Sequence, residues 1–440
     1  MFTINSPINT GAAAIAPFMG VYFPIVYTSA EDELMACRKS AWLGSFLTFS
    51  PVYDISGPDA VKLLNYVTVN RDYSKLKVGG SRHAILCNEK GQMLADGVLM
   101  RKDENTYRTY WLAPVLSYYV DTLGMDVHGE WVTDEFFFQI DGPKSLEIME
   151  KAAHCDLHDL KFAQNKPIVV AGIKANIHRL GMSGCLAYEM HGDVKEGGAF
   201  FEAVVKAGEE YGIKKLGFMQ YCRNHTQGGY PNQWIHFWYP WLNGDKALAE
   251  YVKQSPILET HKVYNFFGSA ADDIENAFVT PFDVDWDYLI NYDHDFIGKA
   301  ALEKIKKNPP RKCVTLEWNA EDVGKVFASQ FMGTDMKPAD DITSVGDGGE
   351  AAFVMSKVMA DGKMIGVSAG RTHDFYHRRM LSLAFVEKEY AVEGKELTVV
   401  WGTESANQMN LRATVAAFPY YNEDYRNETF DVEKIPHPNF

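Results

Sequence analysis

The side chains best suited to chemistry sit in two adjacent stretches. Residues 216–229 are polar and bounded by glycines, and they carry Tyr221, Arg223 and Gln227. Residues 230–241 then place six aromatics (Tyr230, Trp234, Phe237, Trp238, Tyr239, Trp241) in twelve positions, against 13 % for the whole chain. Aromatic side chains dominate burial, so this run reads as a core or domain-interface plug. It reads equally as a slot for a flat ligand, with Tyr221, Arg223 and Gln227 at its mouth. Pro231 and Pro240, with Asn232 and Gln233, argue against a regular buried helix there, and 216–229 reads structurally as a loop leading to the plug. A third candidate is residues 88–98. There Asp96-Gly97 between apolar runs is either a turn or a carboxylate facing a ligand nitrogen.

Other chemistries lack their signatures. No GxGxxG follows a strand, and GxxxxGK[ST], GxSxG and HExxH are absent. The HxxxH pairs His154/His158 and His373/His377 have no third ligand at a clear spacing, so they read as surface or cap histidines and no metal is expected. The net charge of −15, without a basic block, speaks against a nucleic-acid surface. Six cysteines (Cys37, Cys87, Cys155, Cys185, Cys222, Cys313) without a CxxC read as reduced thiols of a cytoplasmic protein. Pro17 and Pro24 break the most apolar N-terminal stretch, nothing basic precedes Arg38, and no uncharged run reaches the ~20 residues a bilayer requires. No targeting or membrane segment is therefore expected. A chain of 440 residues predicts about three domains.

The elements that must position these residues are partly legible. Ser29 can cap a helix, with Asp32 at the capping-box position and Leu34, Cys37, Ala41 and Trp42 on one face. Residues 52–64 and 137–149 look like two copies of one unit: an alternating strand, then Gly57-Pro58 or Gly142-Pro143, then an amphipathic helix. Proline suits the first helical position. Two such copies predict a pseudo-symmetric α+β body. Helices are expected over 199–211 and about 298–307, the second stopped by Asn308-Pro309-Pro310. Beyond it, strands over 313–318, 352–358 and 397–401, with a hairpin turn at Asp361-Gly362, predict a separate all-β domain from 311 onward. Residues 333–350 read as a polar loop and 422–440 as a polar extended tail.

Several motifs, in order over residues 30–420, resemble the glycine-cleavage T-protein superfamily of tetrahydrofolate-dependent methyl and aminomethyl transferases. They are Asn88 to Val98, Gly181 to Tyr188-Glu189, Thr280-Pro281 with Asp295-Phe296-Ile297-Gly298-Lys299, Gly362-Lys363 with Ile365-Gly366, and Met380 to Ala384. Within the superfamily the chain is most similar to aromatic O-demethylases acting on vanillate-like methoxyarenes, through Tyr221, Tyr230, Val400-Trp401-Gly402 and Leu411 to Val415. The resemblance implies an α+β, three-domain cloverleaf ending in a β-barrel. Its first unit would span 1–50, 134–215 and 275–307, its second 51–133 and 216–274, and the barrel and tail 311–440.

The resemblance also implies roles. Tyr221 would be the catalytic tyrosine at the ether oxygen, and Asp96 would orient the pterin or accept its proton. Tyr22, Phe46, Phe49, Leu112, Tyr230 and Trp234 would contact the arene. Tyr188, Glu189, Arg223 and Gln227 would join Asp96 in holding tetrahydrofolate. The chain departs from the T-protein pattern at Met219-Gln220, Ala95 and Cys185, and carries Gln227 where the family has a pterin-holding glutamate. Leu112 stands at what looks like the site of a carboxylate-holding arginine, and residues 42–53 hold no cation before Asp54. An uncharged or larger methoxylated arene is therefore expected as methyl donor, since burying an unpaired carboxylate is costly. A sulfonium or amine demethylase, an aminomethyltransferase and a non-catalytic folate-binding protein are the alternatives; a homo-oligomer is possible.

Overall fold

The computed structural model describes residues 3–18, 21–255, 265–334, 337–342, 352–421 and 426–440. The Ser29 hydroxyl accepts the Asp32 N–H at 3.2 Å and starts the helix Ala30–Lys39. Both Gly-Pro units form as expected, the strand Val52–Ser56 leading to the helix Ala60–Val67 and the strand Glu135–Asp141 to the helix Ser145–Ala153. Each helix starts two residues after its proline, which sits in the turn rather than at the first helical position. The glycine is the demanding residue. Gly142 has φ +137°, and a Cβ there would lie 2.4 Å from the Ser40 carbonyl oxygen.

The second of these strands belongs to a six-stranded sheet ordered Asn165–Val170, Ile173–His178, Ala187–Asp193, Glu135–Asp141, Trp42–Gly44, Lys214–Leu216. Pairing is antiparallel throughout except at the last edge. Leu146, Ile148 and Met149 of one helix and Phe200, Phe201 and Val204 of the helix Gly197–Gly208 bury one face of this sheet. The first strand belongs to a five-stranded antiparallel sheet ordered Ser81–Cys87, Met93–Arg101, Thr106–Tyr110, Val52–Ser56, His128–Val132. Residues 275–307, expected with the first unit, pack instead on the second. Val279, Phe282, Trp286, Phe296 and Leu302 share a core with Leu64, Ile85 and Tyr107, because their apolar positions match that sheet's covered face.

Six strands close the C-terminal barrel: Ala352–Ala360, Lys363–Asp374, Arg379–Glu387, Arg311–Trp318, Met409–Ala416 and Glu396–Trp401, which pairs back with the first. Asp361 and Gly362 take φ +50° and +77° in the expected hairpin turn. The domain is not all-β. Asn319 accepts the Glu321 and Asp322 N–H groups and starts a helix over Ala320–Ser329. Of the expected loop, residues 335–336 and 343–350 lie outside the described residues, and 337–342 form no regular element. Residues 422–425 of the expected tail also lie outside them. The remainder is not a free tail. Phe430, Val432 and Ile435 join the first unit's core, and the Arg179 guanidinium donates to the carbonyls of Asn427 and Phe430 at 3.2 and 2.7 Å. No helix among the described residues is long and apolar enough to cross a membrane.

Candidate active site

The stretch expected as a loop is the helix Phe218–Gly228. It is wedged between the strand Val21–Val26, the helix Ala30–Lys39 and the barrel strand Lys363–Asp374. Most of its polar residues (Gln220, Asn224, His225, Thr226, Gln227) are buried, and some of them are bonded there. Asn224 donates to the Gln220 carbonyl at 2.9 Å, and Thr226 to that of Gly370 at 2.6 Å. Gln220, Asn224, Thr226 and Gln227 are buried here, so the polar composition that suggested a loop does not mark a solvent-facing segment.

This helix forms one wall of a cavity of about 640 Å³. Of the residues expected at the site, Phe46, Asp96, Glu189, Tyr221, Tyr230 and Trp234 line it together. Phe23, Trp111, Phe137, Met182 and Phe218 complete an apolar wall. The other six expected residues do not reach the lining, each for a geometric reason. On the strand Ala187–Asp193 the two-residue period turns Glu189 to the cavity and Tyr188 into the core under the helices. On Val21–Val26 the same period turns Phe23 and Ile25 inward, and Tyr22 is 40 % exposed. Phe49 stands behind the wall, its ring centroid 5.0 Å from Phe23 and 5.7 Å from Phe46. Leu112 is fully buried in the second unit's core. At 3.6 residues per turn, Arg223 and Gln227 lie roughly 200° and 240° around the helix from Tyr221. Gln227 accordingly reaches the barrel, donating to Asp374 Oδ1 at 3.4 Å.

Both readings of the aromatic run hold in part. Tyr230 and Trp234 line the cavity, whereas Phe237, Tyr239 and Trp241 fill the second unit's core. Tyr239 does more than fill space. Its hydroxyl donates to Asp96 Oδ1 and accepts the Asp96 N–H at 2.8 Å. The other carboxylate oxygen, Oδ2, bonds His83 Nε2 at 2.9 Å. Sequence reasoning missed His83. The available signal was a strand pair: His83 lies opposite Val98 and Ile85 opposite Asp96, so His83 and Asp96 are diagonal neighbours on one face.

Burial sets the electrostatics. It pushes the Tyr221 hydroxyl well above the usual phenol range, with the Glu189 charge adding to the effect, so the phenol stays protonated. Burial also raises the Glu189 carboxyl to about 8, helped by Asp141. His225, beside Tyr221, is lowered by burial to about 4 and is neutral near pH 7. Tyr221's hydroxyl makes no hydrogen bond among the described residues, and His225 Nδ1 and Nε2 and Gln233 Oε1 are buried without a partner among them. His178, Glu189 and His191 bring one ligand atom each within 4.8 Å of one another, as do Asp156, His158 and His437. The pairs read from the sequence serve structure: His158 bonds Glu150 and the Ile435 carbonyl, and His377 bonds Asp374.

The family model described as the GCVT N-terminal domain matches residues 7–226. The chain belongs to the GCVT family. Sesamin methylene transferase of Sinomonas sp. (strain No.22) is 42 % identical over 99 % of this chain and 98 % of its own. Syringate O-demethylase of Sphingobium sp. is 27 % identical over 90 % and 91 %, and a probable aminomethyltransferase of Thermococcus kodakarensis is 25 % identical over 93 % and 94 %. Aminomethyltransferase T of Bartonella henselae superposes with a TM-score of 0.66 over 96 % of this chain and 98 % of its own, at 17 % identity, and shares the fold. The named relatives of this GCVT-family chain are one-carbon transferases, and the chain is an enzyme of that kind.

Proposed function

We propose that the protein is a tetrahydrofolate-dependent O-dealkylase that takes a methyl group from an uncharged aryl methyl ether and releases the phenol. The observation that carries this reading is one apolar cavity lined by a protonated Tyr221 together with the carboxyl groups of Asp96 and Glu189. Tetrahydrofolate fits that lining. A reduced pterin presents an edge of N–H donors, and the cavity offers the carboxyl oxygens of Asp96 and Glu189 as acceptors. When bound it supplies the nucleophilic nitrogen that receives the one-carbon unit.

The protein's own part is alignment, water exclusion and a proton. Phenolate is a poor leaving group, so the Tyr221 hydroxyl donates to the departing ether oxygen, a contribution of about 10²–10⁴ in rate. Phe46, Phe137, Phe218 and Trp234 shield that oxygen from water, which strengthens the hydrogen bond. Holding donor and acceptor in line is worth up to about 7–11 kcal/mol. Leu112 is too deep to choose the substrate, and the absence of charge is supported by the lining itself. Its two guanidiniums belong to Arg71, which is exposed, and Arg82, which donates to the carbonyls of Arg71 and Asp72 at 2.5 and 3.0 Å. Both come from the segment 71–82 of the second unit, and no lysine or arginine of the lining comes from the segments that carry the aromatic wall.

One observation favours a second reading, transfer of a methylene group from a methylenedioxyarene: the 42 % identical relative is named for that chemistry. The test is incubation with tetrahydrofolate and a panel of methoxybenzoates, guaiacol-type ethers and methylenedioxyarenes, with mass detection of the folate product. Methyl-tetrahydrofolate from the neutral ethers is the expected outcome, and methylene-tetrahydrofolate would select the second reading. A clear benzoate preference ends the uncharged-donor assignment. Full activity in Tyr221→Phe would point to a donor that leaves without a proton, such as a sulfonium.

A further inference from the structure

Asp96 is held more tightly than a ligand-facing carboxylate needs for folding alone. The Tyr239 hydroxyl fixes Oδ1, and the Asp96 backbone N–H returns a hydrogen bond to the same hydroxyl. His83 Nε2 fixes Oδ2 from the neighbouring strand at 2.9 Å. Tyr239 is anchored in turn: its ring packs 5.5 Å from both Phe237 and Trp241, and the Trp241 indole N–H donates to the Leu94 carbonyl at 2.6 Å. His83 is braced by Trp286, whose ring meets it edge-on at 4.5 Å. The carboxylate plane is thus pinned from two sides, while its remaining lone pairs face the cavity it lines.

The same imidazole nitrogen has a second neighbour, the Tyr230 hydroxyl at 3.4 Å. Tyr230 also lines the cavity, and burial keeps its phenol protonated. One nitrogen cannot donate a hydrogen to Asp96 and accept one from Tyr230 at once. With the hydrogen on Nε2 and directed at Asp96, the Tyr230 hydroxyl is left to donate into the cavity. His225, Tyr230 and Tyr239 are titratable groups that feel the Asp96 charge.

We propose that His83 is a positioning residue of the active site: through one imidazole nitrogen it fixes the Asp96 carboxylate and frees the Tyr230 hydroxyl to face the bound arene. The role rests on the proposed reading of the cavity only for its catalytic consequence; the imidazole's hydrogen-bond state does not. No covalent bond changes at His83, and the Nε2 hydrogen stays on Nε2 throughout.

The test uses the full-length protein with His83→Gln, whose side-chain amide keeps an N–H near the imidazole's position, and His83→Phe, which keeps a ring without a donor. In methyl transfer, His83→Phe is expected to lower kcat about 10–100-fold, the order expected for a misplaced reacting group. Because Asp96 is one of the pterin's proposed acceptors, the tetrahydrofolate dissociation constant should rise as well, by less than kcat falls, while circular dichroism shows a folded protein, and His83→Gln should recover most of both. Independently of activity, ring-¹⁵N spectra of the ligand-free protein should show the His83 hydrogen on Nε2, and Asp96→Ala should abolish that preference. The inference is overturned if His83→Phe keeps kcat within twofold, or if both variants lose it equally while folded. A hydrogen found on Nδ1 also overturns it. A wild-type protein that transfers no one-carbon unit, yet shows the Asp96-dependent Nε2 hydrogen, would sink the proposed reaction and leave the placement of His83 standing.

Discussion

Replacing Glu189 by glutamine removes one charge from the cavity wall without changing its shape, and its effect on stability should depend on pH in a defined direction. Burial, with Asp141 close by, raises the Glu189 carboxyl from its ordinary 4.5 to about 8. Between those values the unfolded chain is ionised while the native protein keeps its proton, so the native state binds more protons and stability falls as pH rises. The contribution is complete below about 4.5 and lost above about 8. Each tenfold displacement is about 1.4 kcal/mol, which sets a ceiling of about 5 kcal/mol. Glu189 borders the cavity, where water reaches its carboxylate, so we expect about 2 kcal/mol. The assay is urea unfolding of wild type and Glu189→Gln between pH 5 and 9. The two should be nearly equally stable at pH 5, with the variant gaining as pH rises. Asp141, also pushed up to about 8 by burial, titrates over the same range, and because it lies close enough to raise Glu189 its own titration should move down in the variant and add to the gain. Parallel stability curves across the whole range would refute the assignment of a buried, charge-intolerant carboxyl at this position.

Three further outcomes are expected. If the pterin N–H edge meets Glu189, tetrahydrofolate binding at pH 7 should release a proton, and calorimetry in buffers of different ionisation enthalpy should lose that release in Glu189→Gln. Gly142→Ala should destabilise by more than about 2 kcal/mol, because its Cβ would meet the Ser40 carbonyl at 2.4 Å. Gly172→Ala, at φ +83° with nothing within 4 Å, should cost only about 1 kcal/mol for its left-handed backbone, and thermal melts would rank the two. Arg179→Ala leaves the Asn427 and Phe430 carbonyls without their donor, so about 1–3 kcal/mol of local anchoring goes, and trypsin should cut at Lys434 faster than in wild type.

How much of this was legible depends on whether a residue's environment is written in its own segment. Ser29 caps a helix locally, while the Asp32 carboxylate accepts from the Thr28 hydroxyl instead of closing the expected capping box; the Gly-Pro units and the Asp361-Gly362 turn need backbone conformations that only a few residues tolerate, so these were visible in the sequence. The cavity wall was legible where a motif fixed an element and alternation did the rest: Glu189 faces the cavity because Tyr188 packs into the core on the sheet's other face. What failed was whatever depends on a second surface. The helix Phe218–Gly228 reads as a loop because its polar residues look solvent-facing until the surrounding elements bury them. The segment 426–440 looks unpartnered until Phe430, Val432 and Ile435 meet a core built some 250 residues earlier.

The same distinction explains why Arg223 and Gln227 mislead where Tyr221 does not. All three lie within seven positions, and as a loop all could point to one ligand. A helix allows only residues about three or four apart to share a face, so once Phe218, Tyr221 and His225 line the cavity, Arg223 and Gln227 must face elsewhere. In the proposed reading, acceptors for a pterin then come from other elements. They come from two sheets: Glu189 from the six-stranded one, and Asp96, held by His83 and Tyr239, from the five-stranded one. A ligand spanning both carboxyls is held only when the two units keep their mutual placement, and the helix carrying Tyr221 completes the cavity from its own side, packed against the strand Val21–Val26, the helix Ala30–Lys39 and the barrel strand Lys363–Asp374. The hydrogen bond from Thr226 to the Gly370 carbonyl ties that wall to the barrel, a contact between distant segments that no local pattern announces.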